Sequence, residues 1–209
     1  RDPGSTRFRA SAAADVVKRQ DYLIKADEAS VLLWHSRFLQ VLESPNRPKR
    51  WLLKDPGHIG RLNEILAVYP EASFIQIHRD PVETIPSICS LTEKTRRPFT
   101  KRMDKNEIGV RTLSYWEESL AKGEKEKSSI SQDKFINVKF EDFIVKPIEQ
   151  IKAIYSQLDL NLDKETERKM IDFTQKFEKI EKAKHSYGLS EFGLSKESVQ
   201  NTLSKYISF

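Results

Sequence analysis

Ser73-Phe74-Ile75-Gln76-Ile77-His78-Arg79-Asp80-Pro81 passes from a short apolar run through a polar turn to a proline. Residues 73–77 read as a strand of buried type, because β-branched and aromatic side chains fit a pleated surface. Asp80 then stands where a helix wants its N-cap, and Pro81 where the first helical residue has no use for an N–H. Ile85, Ile88 and Leu91 carry that helix onward at helical spacing. The same order occurs just upstream: Trp51-Leu52-Leu53, then Lys54-Asp55-Pro56-Gly57, then Ile59, Leu62, Ile65, Leu66 and Val68 as far as Pro70. Two strand–helix units in tandem imply a parallel sheet flanked by helices, and so an α/β fold class.

Working outward, a long helix is expected from about Ile108 to Glu126, with Gly123 a weak point, leading to a third strand from Phe135 to Phe140. The three strands ending near Lys54, Arg79 and Phe140 are expected to lie in one parallel sheet. Pro147 opens a helix through Ile148, Ile151, Ile154, Tyr155 and Leu158, and two more helices fit Lys164 to Phe177 and Lys196 to Ile207. Upstream, Val31, Leu32, Trp34, Phe38, Leu39, Val41 and Leu42 recur at helical spacing, with Pro45 and Pro48 as stops. Residues 1–30 are expected to be a poorly ordered lead-in, and residues 31–209 one α/β domain.

The 209 residues are 38% hydrophobic with no long apolar run, enough for a core and too little for a bilayer span. Cys89 is the single cysteine, which excludes an internal disulfide framework and a cysteine-rich zinc site; no metal is expected. With no apolar leader in the first thirty residues, a cytoplasmic location is the expectation. The formal charge of +5, from 36 basic and 31 acidic residues of mixed order, suits a polyanionic ligand such as a nucleotide. Nucleic-acid binding is disfavoured, because no clustered basic stripe with interleaved aromatics is present.

Ligands of open parallel sheets sit at the carboxyl ends of the strands, where Lys54 and Arg79 both fall. A lysine at position 54 can neutralise charge building on a leaving phosphate, and His58 across the Asp55-Pro56-Gly57 turn can take a proton from an attacking hydroxyl. The alternative is a solvated Lys54 and a His58 that caps its own helix. Arg79 and Ser87 can share one anion, the guanidinium through a forked contact and the serine through one hydrogen bond. The alternative is an Arg79–Asp80 ion pair with Ser87 on a polar face. His78-Arg79-Asp80 has the letters of the protein-kinase catalytic loop, but Ile85 stands where that motif needs asparagine, and no Walker A sequence is present.

Arg50-Trp51-Leu52-Leu53-Lys54-Asp55-Pro56-Gly57-His58, Tyr69-Pro70-Glu71-Ala72 and His78-Arg79-Asp80-Pro81 with Ser87, in that order, resemble the PAPS-dependent sulfotransferase family of bacterial type. Val138-Lys139-Phe140-Glu141-Asp142-Phe143 with Pro147 resembles the family's V-x-Y-E-D-L segment, and His185-Ser186-Tyr187-Gly188-Leu189-Ser190-Glu191-Phe192-Gly193-Leu194 its C-terminal signature. The resemblance, from about Val31 to Phe209, implies a sulfotransferase-like fold related to P-loop NTPases. It implies transfer of a sulfuryl group from PAPS to a hydroxyl or amine of a small-molecule or saccharide acceptor. Arg79 and Ser87 would then bind the 3′-phosphate of PAPS (or of the desulfated product PAP). Lys54 and His58 would correspond to the catalytic lysine and histidine, and Phe140 to a tyrosine beside the adenine.

The departure is at the front, where the family's first strand and its G-x-P-R-S-G-T-T phosphosulfate loop are absent from these 209 residues. The chain is therefore expected to be a fragment of the full enzyme, with little activity alone; the alternative is a noncatalytic nucleotide-binding remnant. Trp34, Phe99 and Trp116 are read first as core residues and second as lining for an acceptor site.

Overall fold

A computed structural model of the chain describes residues 29–43, 50–100, 102–178 and 187–206. These belong to two compact units, one within Arg1–Pro70 and the other within Glu71–Phe209. Residues 1–28 of the expected 1–30 lead-in, the stops at Pro45 and Pro48, and His185, Ser186 and Ile207 lie outside the described residues, while Ala29 and Ser30 already belong to a helix.

In the first unit, α1 (Ala29–Glu43) covers the helix expected from the apolar spacing. Leu39 is buried, whereas Trp34 is 69% exposed and Phe38 also faces solvent. The helix is tied to the end of α2 (Leu62–Val68) by His35, whose Nδ1 lies 2.7 Å from the Tyr69 hydroxyl with the rings edge to face. Between them Asp55 caps a 3-10 turn, Pro56–Gly60: its Oδ1 accepts from the Gly57 N–H at 2.7 Å, and Pro56 takes the first position.

Trp51-Leu52-Leu53 departs from expectation. The segment is exposed and lies in no strand, with Leu52 87% exposed. A strand exists only through a ladder of backbone hydrogen bonds to a neighbour. None is made to residues 51–53 among the described residues, so the apolar run stays unpaired and exposed.

The second unit holds the sheet. β1 (Phe74–His78) and β2 (Phe135–Lys139) pair in parallel, with register running from Phe74 opposite Phe135 to His78 opposite Lys139. The Phe74 and Phe135 rings stack 5.2 Å apart at the entry to the ladder. Two of the three expected strands thus share one parallel sheet. The second ends at Lys139, one residue earlier than the sequence suggests, because Phe140 opens the short helix α5 (Phe140–Val145).

The crossover from β1 to β2 runs through α3 (Pro81–Arg96) and α4 (Lys105–Lys127). Asp80 caps α3 and Asp104 caps α4, each accepting from a backbone N–H at 2.8 Å, and Gly123 sits buried within an unbroken α4. α6 (Pro147–Gln157), α7 (Lys164–Glu178) and α8 (Lys196–Leu203) come next, Pro147 opening α6 as expected. Ile85 and Cys89 of α3, Ile108 of α4, Phe192, Leu194, and Val199 and Leu203 of α8 form the core. Paired positions four apart on α3 and α8 supply the facing stripes.

Two glycines let the C-terminal segment reach that core. A Cβ on Gly109 would stand 2.0 Å from the Phe192 carbonyl oxygen, so only glycine permits this approach of α4. Gly193 ends the 3-10 turn Leu189–Phe192 at φ +66°, the left-handed region glycine enters without strain. No helix among the described residues is long and apolar enough to cross a membrane.

Candidate functional site

Arg79 leaves the carboxyl end of β1 just before the N-cap of α3, and Phe140 leaves the same end of β2. Because the strands are adjacent and parallel, the guanidinium comes to rest over the Phe140 ring, 4.4 Å from its centroid. Its Nη2 and Nε donate to Glu83 Oε2 at 3.1 and 3.3 Å, and the side chain stays 40% exposed. The Asp80 carboxylate does not take the ion pair offered as the alternative: it accepts from the Val82 N–H and caps α3.

Ser87 lies four residues beyond Glu83 on the same side of α3. It has no bond to Arg79; instead the Tyr187 hydroxyl donates to Ser87 Oγ at 3.0 Å. Among the residues expected in this unit, Arg79 and Phe140 are therefore brought into contact, and Ser87 is held on the same helix from the C-terminal segment. His78 sits behind them, its Nε2 3.0 Å from Asn137 Oδ1. Burial lowers the His78 pKa most, with the Asn137 bond opposing, then Lys127 lowering and Glu124 raising it.

Lys54 and His58 belong to the first unit. Lys54 is exposed in the segment just before the Asp55 cap; His58 is half-buried in the 3-10 turn. Burial pushes the His58 pKa below the ordinary histidine value; the nearby Asp55 carboxylate opposes this and His35 adds to it. A neutral imidazole with a free lone pair is the form a general base requires.

The sequence alone does not single out Glu83, Asn137 or Tyr187. Glu83 had a signal, since it stands at i+4 from Arg79 and i−4 from Ser87. Tyr187 had none beyond its place in the C-terminal signature. Of the aromatic residues considered for an acceptor site, Trp116 packs against the core, while Trp34 and Phe99, read first as core, are exposed. Among the described residues no group of three or more histidine, cysteine or acidic side chains is placed to hold a metal.

A parallel α/β sheet with a cation at its carboxyl end and a capped helix after it defines an α/β protein with a candidate anion site. Residues 5–164 match the Sulfotransferase family, and the chain belongs to it. It is 28% identical over 125 residues to the omega-hydroxy-beta-dihydromenaquinone-9 sulfotransferase Stf3 of Mycobacterium bovis and to that of Mycobacterium tuberculosis, covering 59% of this chain and 32% of those proteins. Among solved structures it is similar to sulfotransferase STF9 from Mycobacterium avium, with TM-score 0.81 and 27% identity, and to STF1 from Mycobacterium tuberculosis H37Rv, with TM-score 0.77 and 29% identity. Both similarities cover 89% of this chain and 48% of the solved one. The chain thus spans about a third of the length of the curated relatives and about half that of the solved structures.

Proposed function

We propose that this chain supplies the nucleotide 3′-phosphate site of a PAPS-dependent sulfotransferase, as part of a longer enzyme that moves a sulfuryl group to a hydroxyl or amine. The observation that carries the reading is the Arg79 guanidinium, set at the carboxyl end of β1 and held over the Phe140 ring. A planar fork held in this way can bind a phosphate that displaces the Glu83 carboxylate or lies beside it. Ser87 adds a hydroxyl, and Phe140 offers the ring face not covered by Arg79 to the adenine. The Stf3 relatives, whose name states a hydroxylated substrate, support a hydroxyl acceptor on a small molecule.

In the proposed reaction the acceptor oxygen attacks the donor's sulfur in line with the bond to the 5′-phosphate, which breaks and releases adenosine 3′,5′-bisphosphate. His58, whose pKa burial lowers, takes the acceptor proton, and Lys54 offsets charge on the leaving phosphate. A cytoplasmic location belongs to the same proposal and rests on the single cysteine.

Calorimetric titration with adenosine 3′,5′-bisphosphate, beside adenosine 5′-monophosphate, tests the site. Arg79→Ala should weaken the bisphosphate by at least about tenfold, as expected for a charge-assisted contact, and leave the monophosphate unchanged. Equal binding of the bisphosphate by both proteins would overturn the assignment. A sulfate-transfer assay on the full polypeptide, with His58→Ala beside it, separates an enzyme from a noncatalytic remnant.

A further inference from the structure

The C-terminal segment brings to α3 a hydroxyl that the proposed reaction has not used. Phe192 is fully buried in the core, and Gly109 lets α4 approach the Phe192 backbone. Glu191 accepts from the Gly188 N–H at 2.9 Å, and Lys105 ties Glu191 to Glu93 of α3, at 3.4 and 3.2 Å. The backbone just after Tyr187 is thus fixed to the helix that carries Ser87, and the phenol donates to Ser87 Oγ at 3.0 Å.

A serine hydroxyl has one hydrogen to give and two lone pairs. On a helix that hydrogen usually goes to the carbonyl four residues back, as Thr95 and Thr202 do here. Ser87 gives its hydrogen to no partner among the described residues, while one lone pair is filled by Tyr187. Accepting from the phenol polarises the Ser87 O–H and makes it a better donor. The hydrogen is left for an external acceptor on the side of α3 that Arg79 and Glu83 share.

We propose that Tyr187 is a positioning residue for the nucleotide 3′-phosphate: by donating to Ser87 Oγ it directs the Ser87 hydrogen to a phosphate oxygen. This rests on the assignment of Arg79 and Ser87 to that phosphate. Tyr187 itself does not touch the ligand.

The test is calorimetry on the full chain with adenosine 3′,5′-bisphosphate and adenosine 5′-monophosphate, for the parent, Tyr187→Phe, Ser87→Ala, the double variant and Arg79→Ala. Tyr187→Phe should weaken the bisphosphate by about three- to tenfold, the usual size of one hydrogen bond, and leave the monophosphate unchanged. In the Ser87→Ala background the same substitution should have no further effect. Equal loss for both nucleotides, or a loss that persists without Ser87, would overturn the proposal and make Tyr187 merely structural. If Arg79→Ala and Ser87→Ala bind the bisphosphate like the parent, or the parent does not prefer it, the nucleotide-site reading fails and the proposal with it. If Tyr187→Phe does not fold, 3-fluorotyrosine at position 187, a stronger donor of nearly the same shape, should tighten bisphosphate binding; no change would overturn the proposal.

Discussion

Residues 51–60 and residues 74–85 share nearly the same order of residue types: a short apolar run, a basic residue, an aspartate, a proline and a helix. In both, the aspartate caps the helical turn after it, with Asp55 on the Gly57 N–H and Asp80 on the Val82 N–H. The difference lies in the apolar run. Residues 74–78 form a strand paired with 135–139, and residues 51–53 stand exposed in no strand. Capping is written into adjacent residues and forms wherever they occur. A strand is written only half into its own residues, because its hydrogen bonds and burial come from a neighbour elsewhere in the chain.

The largest effect should come from breaking the paired side of that comparison. Ile136 in β2 is 3% exposed, so Ile136→Ala should lower unfolding free energy by about 2–5 kcal/mol. Leu52→Ala, at a site exposed to water, should change it by no more than about 0.5 kcal/mol. Urea denaturation of both variants measures the contrast. A large loss at Leu52 would mean that residues 51–53 are paired in solution and that the two regions are alike after all.

Gly109→Ala comes next. The added methyl would meet backbone at the Phe192 carbonyl, which cannot rotate away as a side-chain tip can. The expected cost is about 1–3 kcal/mol, as for overpacking, read by the same denaturation. Because the 188–193 segment must shift, bisphosphate affinity should fall with it. Unchanged stability would show that α4 and the C-terminal segment are not in contact.

Legibility in the sequence divides along the same line. The cap at Asp80, the first position of Pro147, the extent of α1 and the parallel sense of the strands near 74–78 and 135–139 were legible, because turn chemistry and short apolar runs are local. The Arg79–Glu83 pair was half legible: four-residue spacing was visible, but the sequence equally offered Asp80. The Arg79 guanidinium over Phe140 required knowing which strands are adjacent, and Tyr187 on Ser87 required the whole path of the C-terminal segment. The exposure of Trp34 and Phe99 was illegible for the same reason, since apolar character alone does not say which neighbours cover a side chain.

A smaller effect concerns the histidines, one in each unit. Burial leads in lowering the pKa of both His58 and His78. The unfolded chain therefore binds more protons than the folded one between the lowered pKa values and about 6.5. Stability is full above that range and is lost as pH falls through it. Thermal melting should be flat above about pH 6.5 and decline as pH falls below it, and His78→Asn and His58→Asn should each flatten part of the decline. A profile unchanged in both variants would remove the histidines as its cause.

The smallest effect on stability, and the one that most sharpens the reading of the anion site, is expected at Glu83. Its carboxylate holds the Arg79 guanidinium at 3.1 Å in an exposed four-residue pair. Such pairs contribute about 0.3–0.5 kcal/mol, and Glu83 also stands in the first turn of α3, where a negative charge is favoured by roughly 0.3–1 kcal/mol. Glu83→Gln should therefore lower unfolding free energy by about 1 kcal/mol or less. Its effect on binding runs the other way. A phosphate arriving at Arg79 must displace this carboxylate or lie beside it, and two unit charges 4 Å apart in water repel by about 1 kcal/mol. Removing the charge should tighten adenosine 3′,5′-bisphosphate by about fivefold at low ionic strength and by less at physiological salt, where the Debye length is about 8 Å. Adenosine 5′-monophosphate, with no 3′-phosphate, should bind as before. Calorimetry at two salt concentrations reads both. A Glu83→Gln variant that binds the bisphosphate no more tightly than the parent would mean that the phosphate does not come to Arg79, and residues 51–60 and 74–85 would then have to be compared again with the anion site on neither.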